Sequence, residues 1–415
     1  MKNRPTILFV FIIVLVPAFI FADNTRNDQV KLGVGRINIT PAEPTLMSGY
    51  GSRKTPFTGI HDSLFASAFY FEKAKEKNLL ITADLIGFSF GFTDEIRSKI
   101  SSAIGIPSEN IMLVATHNHG GPSIDDYGER TAYAEELQKK LIDVSVKASR
   151  KVVPFKMGIE KAYCKMNINR RAEFGSGEIW LGHNPYGPCD HELEVIKFES
   201  ANSKLMAVLI NWPCHGTVTG YTNYQISGDW PGAAARFIRD SLGEEAIVAV
   251  TAGASGDINP VYGKDDSFRR VDAVGYHVCK EAMKVFSDIK THPVRSVQSI
   301  ETIQYFSGKK RCKDHFPQQS FESGPDKEIR YSVLKIGNLV LAGISGELMT
   351  EIGLEIKKQS PLRTIVVTHC NGSSGYICTD KSYPEAGYEI EVTELMPGVE
   401  KPLVKEIIGL IHSFR

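Results

Sequence analysis
Apolar positions along the chain fall mostly in short runs and strict alternations, the signature of strands, with fewer stretches of helical spacing. Residues 31–41 alternate and stop at Ile39-Thr40-Pro41, which predicts a strand closed by a turn. Residues 67–72 and 79–83 predict paired strands, the second ending at Asp84, and Ile111-Met112-Leu113-Val114 predicts a buried one. Thr93 is placed to cap a helix that runs to about Ile104, where Gly105 closes it. Residues 129–150 carry helical periodicity, and Pro231 is placed to open a helix that Gly243 closes. Residues 269–287, 348–358 and 400–413 are further helical stretches. No internal repeat and no Gly/Ser/Pro linker interrupts the chain. The fold class expected is α/β, with mixed sheets and flanking helices in one large catalytic domain over residues 23–415.

Several of the apolar runs end abruptly in polar, Gly-rich loops. Residues 112–115 lead to His117 and His119, and residues 207–211 lead through Trp212-Pro213-Cys214 to His215. Residues 246–251 lead to Ser255-Gly256-Asp257-Ile258-Asn259, residues 339–343 to Glu347, and residues 364–368 to His369 and onward to Tyr376. Sites collect where strand ends meet such loops, so the active site is expected there.

If the extended conformation persists to residue 119, His117 and His119 project to one face. A His-x-His pair is a metal half-site, and imidazole suits zinc. The bland alternative is two hydrogen-bonded loop histidines. Should His117, His215 and Glu347 meet, two imidazoles and one carboxylate form a zinc set with a position left open. His119 would then stand beside the metal for proton transfer, and a tyrosine or arginine could stabilise an oxyanion. That constellation hydrolyses an amide or an ester. Taken singly, His215 could shape the turn before Gly216, Glu347 could be a first-turn acid, and Ser255-Gly256-Asp257 could be an Asx turn. His61, His183, His191, His277, His292, His315 and His412 have no partner pattern and read as structural.

Charge and composition narrow this further. The chain carries 48 basic and 48 acidic residues, without the basic excess a nucleic-acid binder wants, so no nucleic-acid partner is expected. Residues 1–22 read as a secretory signal: Lys2 and Arg4, an apolar core from Ile7 to Phe21 broken by Pro17, and Ala22 before Asp23. Ile20 is not the small residue cleavage prefers, and an uncleaved anchor is the alternative. Export to a secreted or periplasmic location is expected, with membrane association left open. Seven unpatterned cysteines do not make a disulfide framework; one or two bridges stay open, and core packing is the default for most. Asn38-Ile39-Thr40 and Asn371-Gly372-Ser373 match glycosylation acceptors.

The ordered motifs resemble those of the neutral/alkaline non-lysosomal ceramidases, zinc amidases that split ceramide into sphingosine and a fatty acid. Residues 32–40 resemble that family's opening strand and residues 58–69 its next block. Ala115-Thr116-His117-Asn118-His119-Gly120-Gly121-Pro122 is similar to its Thr-His-Thr-His-Ser-Gly-Pro signature. Asn167-Ile168-Asn169-Arg170, Asn211-Trp212-Pro213-Cys214-His215-Gly216-Thr217 and Ile226-Ser227-Gly228-Asp229 also fit. The resemblance implies a bound Zn2+ with His117, His215, Glu347 and Tyr376 as ligands, and His119 as a catalytic histidine. It implies that Arg170 contacts the reacting amide and that Tyr383 is catalytic, with Tyr388 matching a further family tyrosine. The implied partner is a lipid-like N-acyl substrate, with peripheral membrane contact; oligomeric state is not legible.

Two departures from the family stand out. Its serine, long proposed as nucleophile, is replaced by Asn259 in Gly256-Asp257-Ile258-Asn259-Pro260, and Ser255 lies four residues away. Metal-activated water is then the expected attacking group, with Asn259 able to donate to an oxyanion. The chain also ends at Arg415, where the family continues into an immunoglobulin-like domain. The expectation is an exported zinc amidohydrolase acting on ceramide or a related N-acyl lipid. A zinc esterase or lactonase, or a non-catalytic lipid- or glycan-binding homologue, is the alternative.

Overall fold
The computed structural model describes residues 28–414 apart from 127, 176, 244, 264–266 and 315. The export signal expected over residues 1–22 lies outside the described residues. The expected mixture of sheets and helices is present. It is built as two facing sheets with helices on both outer sides.

The larger sheet runs Ile247–Ala252, Leu205–Trp212, Glu192–Ser200, Val153–Tyr163, Lys31–Asn38, Phe65–Lys73, Glu76–Ala83, Ile111–Ala115. The smaller one runs Val297–Lys309, Ser323–Ile336, Leu339–Ile344, Arg363–Val367. Their inner faces share one core, where Phe69, Leu80, Met112 and Val114 meet Leu334, Leu341, Ile365 and Val367. Helix α1 (Phe90–Ile104) and helix α2 (Ala132–Ser149) cover one part of the larger sheet's outer face. Helices α3 (Asp229–Leu242) and α4 (Phe268–Phe286) cover the rest. Helix α5 (Thr350–Gln359) and the terminal helix Glu400–Ser413 cover the smaller sheet.

Within these two sheets most strand pairs are antiparallel, but among the described residues three pairs at the sheet edges are parallel, and each is bridged by a helix. Glu76–Ala83 passes through α1 to Ile111–Ala115, and Leu205–Trp212 through α3 to Ile247–Ala252. Leu339–Ile344 passes through α5 to Arg363–Val367. Parallel neighbours require such a crossover, and it leaves both strands of a pair with their carboxyl ends on the same edge. The loops singled out in the sequence leave these ends.

Several boundaries differ from expectation. Ser89, not Thr93, caps α1: its hydroxyl accepts from the Phe92 amide at 3.4 Å, and the helix starts at Phe90. Thr93 sits inside the helix, buried, with its hydroxyl unpartnered among the described residues. Helix α2 starts at Ala132 behind a Thr131 cap, because Glu129–Arg130 pairs with Asp125–Asp126 instead. Gly105 closes α1 in the left-handed conformation, as its position predicts. All seven cysteines are free thiols, so neither open bridge forms; most pack in the core.

Candidate active site
The strand carrying the two neighbouring histidines ends at Ala115, and His117 takes a left-handed φ of 59°. The extended run therefore does not reach residue 119. Side-chain alternation is not what brings His117 and His119 together. A left-handed bend does so, held by amide bonds from His117 to the Leu85 carbonyl and from His119 to the Gly216 carbonyl, both 2.9 Å. Such a conformation costs a non-glycine residue about 1–3 kcal/mol and persists where the surroundings enforce it. His369 and Asn371, in the loop after Arg363–Val367, are left-handed too. Glycines allow the close passage: a Cβ on Gly49 would sit 2.7 Å from His119, and one on Gly216 2.6 Å from the Asn118 Cα.

Each of the three imidazoles has its Nδ1 on a main-chain carbonyl. His117 Nδ1 lies 2.8 Å from the Ile86 oxygen and His119 Nδ1 3.1 Å from that of Gly49. His215 Nδ1 lies 2.8 Å from the Ser255 oxygen and 3.0 Å from that of Ile258. A carbonyl only accepts, so in every case Nδ1 carries a proton, and Nε2 is the ring atom turned inward. These atoms converge. His117 Nε2 stands 3.4 Å from His119 Nε2, and the ligand atoms of His117, His119 and His215 all lie within 4.8 Å of one another. Glu347 brings Oε2 to 3.1 Å from His215 Nε2 and 3.4 Å from His117 Nε2. Lone pairs cannot bond to each other, so this set suits a cation at its centre.

The electrostatics agree. Burial, with the neighbouring His117, holds His119 well below the usual histidine range, and burial and Arg170 bring His215 down to about 4. Burial alone would raise Glu347, but His117 and His215 hold it well below the usual carboxylate range. His119 and His215 held neutral beside an ionised Glu347 suit a metal ion, which binds deprotonated ligands.

Opposite the histidines, Arg170 is buried on Asn167–Glu173 and fully engaged. Its Nε donates to Glu389 at 2.7 Å and its Nη2 to the Tyr376 hydroxyl at 3.0 Å. Its Nη1 donates to Asn259 Oδ1 at 3.3 Å and lies 3.3 Å from His215 Nε2. Glu389 also accepts from Arg171 Nη1 at 2.9 Å, so one buried carboxylate holds two guanidinium groups. Burial would lower the Arg170 pKa, but Tyr376 and Glu389 raise it instead. Burial likewise raises Tyr376 well above an ordinary phenol.

His117, His119, Arg170, His215, Asn259, Glu347 and Tyr376 thus meet in one place; Tyr383 does not. Its hydroxyl donates to the Leu395 carbonyl at 2.8 Å, and its ring packs on Phe321. The chain reverses at Ala386 and Gly387, both left-handed, and presents Tyr388 to the site in its place. Tyr388 packs edge-on against Tyr376 and lies 5.6 Å from the Arg170 guanidinium. Sequence reasoning also missed Glu389 and His369. The His369 ring stacks on His117 at 3.7 Å and 12°, and its buried Nε2 has no partner among the described residues. Its place at a strand end was the available signal. Ser255 contributes through its carbonyl; its hydroxyl is buried and bonds to nothing described.

Residues 30–153 match the family model described as neutral/alkaline non-lysosomal ceramidase, N-terminal. The chain is 26% identical over 256 residues to the neutral ceramidase of Pseudomonas aeruginosa, a match covering 55% of this chain and 37% of that one. It is 26% identical over 259 residues to the neutral ceramidase of Drosophila melanogaster, covering 55% and 36%. The match thus spans little more than a third of these relatives' length. In fold, the chain is similar to the crystal structure of neutral ceramidase from Pseudomonas aeruginosa, with a TM-score of 0.79 at 17% identity over 93% of this chain and 74% of that one. A ceramidase complexed with C2 gives 0.76 at 18% identity, covering 93% and 75%. These likenesses bear out the resemblance read from the motifs.

Proposed function
We infer that this chain, a relative of the neutral/alkaline non-lysosomal ceramidases, is a zinc-dependent hydrolase of the N-acyl amide in ceramide or a related lipid. One observation carries the inference: three imidazoles, each fixed by a main-chain carbonyl, aim Nε2 atoms at the place where Glu347 ends. Zinc fits the spacing. Tetrahedral ligands at roughly 2.0–2.1 Å from the ion stand about 3.3 Å apart, and the Nε2–Oε2 separations here are 3.1 and 3.4 Å. His117, His215 and Glu347 would hold the ion, with Tyr376 as the fourth donor.

When bound, zinc supplies a Lewis acid for the scissile carbonyl and brings the pKa of water to near neutrality. The chain's own residues do the rest. His119, fixed by the Gly49 carbonyl and not counted among the ion's donors, turns Nε2 toward the site and can take a proton from the attacking water and return it to the leaving amine. Arg170 and Asn259, already joined at 3.3 Å, face the carbonyl oxygen as it gains charge. An asparagine amide is no nucleophile, so attack falls to water. Tyr388 and Tyr376 wall the site beside Arg170 and exclude bulk solvent.

Export through residues 1–22 and peripheral contact with a lipid surface belong to the same proposal. No helix among the described residues is long and apolar enough to cross a membrane. Asn259 motivates a second reading, a homologue that binds lipid without cleaving it.

The test is metal analysis of the purified protein together with turnover of ceramide, N-acyl amino acids and simple esters. We expect one equivalent of zinc and amide cleavage that chelation and His119→Ala abolish and Asn259→Ala only reduces. Ester cleavage without amide cleavage moves the protein to the esterases. Bound zinc with no turnover leaves the binding reading.

A further inference from the structure
Away from the imidazoles, where α3 meets the strands Lys31–Asn38, Phe65–Lys73, Glu76–Ala83 and Ile247–Ala252, lies a cavity of about 250 Å³ that the proposed reaction does not use. Its walls carry three arginines, Arg36 from the strand Lys31–Asn38 and Arg236 and Arg239 from α3, against two carboxylates, Asp62 and Asp84. Buried or half-buried cations normally find a carboxylate. Arg236 does so, pairing with Asp272. Among the described residues Arg239 reaches only Asp240, at 3.8 Å.

Arg36 is the exception. Its guanidinium lies flat on the Phe65 ring, 3.3 Å from the centroid, and among the described residues it has no hydrogen-bond acceptor. Stacking uses the face of a guanidinium and leaves its N–H edge free, the edge that grips oxyanions two bonds at a time. Burial and the like charge of Arg239, only partly offset by Asp84, bring Arg36 down to about 10. The carboxylates are largely committed elsewhere. Asp62 accepts from the Ser227 hydroxyl at 2.6 Å and the Gly228 amide at 2.8 Å, and Asp84 from the Phe65 amide at 2.8 Å. Burial pushes Asp84 up to about 7, against the pull of the Arg36 charge, so it is partly ionised at neutral pH.

We propose that this cavity binds a small tetrahedral oxyanion that still carries a proton at neutral pH, inorganic hydrogen phosphate, between Arg36 and Arg239. The carboxylates set the selectivity. The hydroxyl of hydrogen phosphate can donate to Asp62 or Asp84, whereas sulfate has no proton at neutral pH and meets their charge.

The experiment is calorimetric titration of the intact metal-loaded protein at pH 7 with inorganic phosphate, with sulfate, and with glycerol phosphate as a monoester. We expect phosphate to bind at one site and sulfate at least about tenfold more weakly. Arg36→Gln and Arg239→Gln should each weaken phosphate by at least about tenfold, the loss expected when a bond to a charged group is removed. Arg239 lies on a helix surface, so its variant carries the test if Arg36→Gln does not fold. No phosphate heat, or heat unchanged in the variants, overturns the site. Equal binding of sulfate overturns the proton-based selectivity. Glycerol phosphate, mostly without that proton at pH 7, should bind more weakly than phosphate, and tighter binding of it also overturns the proton-based selectivity.

Discussion

On one wall of the site, the imidazoles of His117, His119 and His215 are oriented by the carbonyls of Ile86, Gly49, Ser255 and Ile258. On the opposite wall, Arg170 and Tyr376 are oriented by side chains, above all by Glu389. The two constructions differ in what can disturb them. A carbonyl is present whatever residue occupies the position, so the histidine wall tolerates changes of neighbour and fails only when the backbone moves. The arginine wall depends on one carboxylate and has no substitute for it.

The sharpest way to break the comparison is Glu389→Gln. It leaves the buried Arg170 guanidinium with a neutral partner, while Arg171 keeps Glu385 at 3.1 Å, and removing one member of a buried charge pair typically costs about 3–5 kcal/mol. Denaturant melts should show a loss of that size, with zinc content unchanged. A loss below about 1 kcal/mol would mean that the two walls are equally robust.

Next in size is a pH effect on the loop that holds His215. Asp257 accepts from the Thr350 amide and from Asn169, and burial pushes it up to about 6. The folded protein therefore keeps a proton on Asp257 that the unfolded chain releases near its ordinary value of 3.8. The associated stabilisation is complete below that value and is lost as pH rises through about 6, in total roughly 3 kcal/mol. Asp257→Asn keeps an acceptor without a titrating proton. Its stability relative to wild type should rise between pH 4 and pH 7, and a constant offset would contradict this.

The histidine wall should yield to its backbone. At Gly49, φ is +102°, and an added Cβ would meet His119 at 2.7 Å. Gly49→Ala should lower turnover by up to about a hundredfold through misplacement of His119, with metal content retained. The smallest effect is expected at His369. His369→Phe keeps a ring stacked on His117 and should change turnover by less than about threefold. A larger fall would give the unpartnered Nε2 of His369 a part in the reaction.

Much of this arrangement was legible before any coordinates. Apolar runs that stop at His117, His215 and Glu347 mark strand ends, and hydrophobic periodicity records burial directly. The reason His117 and His119 meet was not legible, because a left-handed histidine leaves no mark in composition. The choice between Tyr383 and Tyr388 rests on the reversal at Ala386 and Gly387, where alanine carries a positive φ against its own preference. Glu389 was invisible for a different reason. A lone glutamate in a mixed-polarity stretch looks like a solvated surface residue until both arginines are seen beside it. The long pair Val297–Lys309 and Ser323–Ile336 escaped because its outer halves are largely exposed and broken by charge.

The three helix-bridged strand pairs have a bearing on how the protein matures. Their contributions span residues 76 to 367, and no two of the proposed ion's donors on different pairs are neighbours along the chain. Contacts of such long range form late and slowly. A nascent polypeptide can present single histidines to solution, but the chelating cage exists only after the last crossover docks. Loading with the proposed zinc would then be a terminal event of biogenesis, and a tightly held ion would certify that the whole molecule, rather than any fragment, has reached its native state.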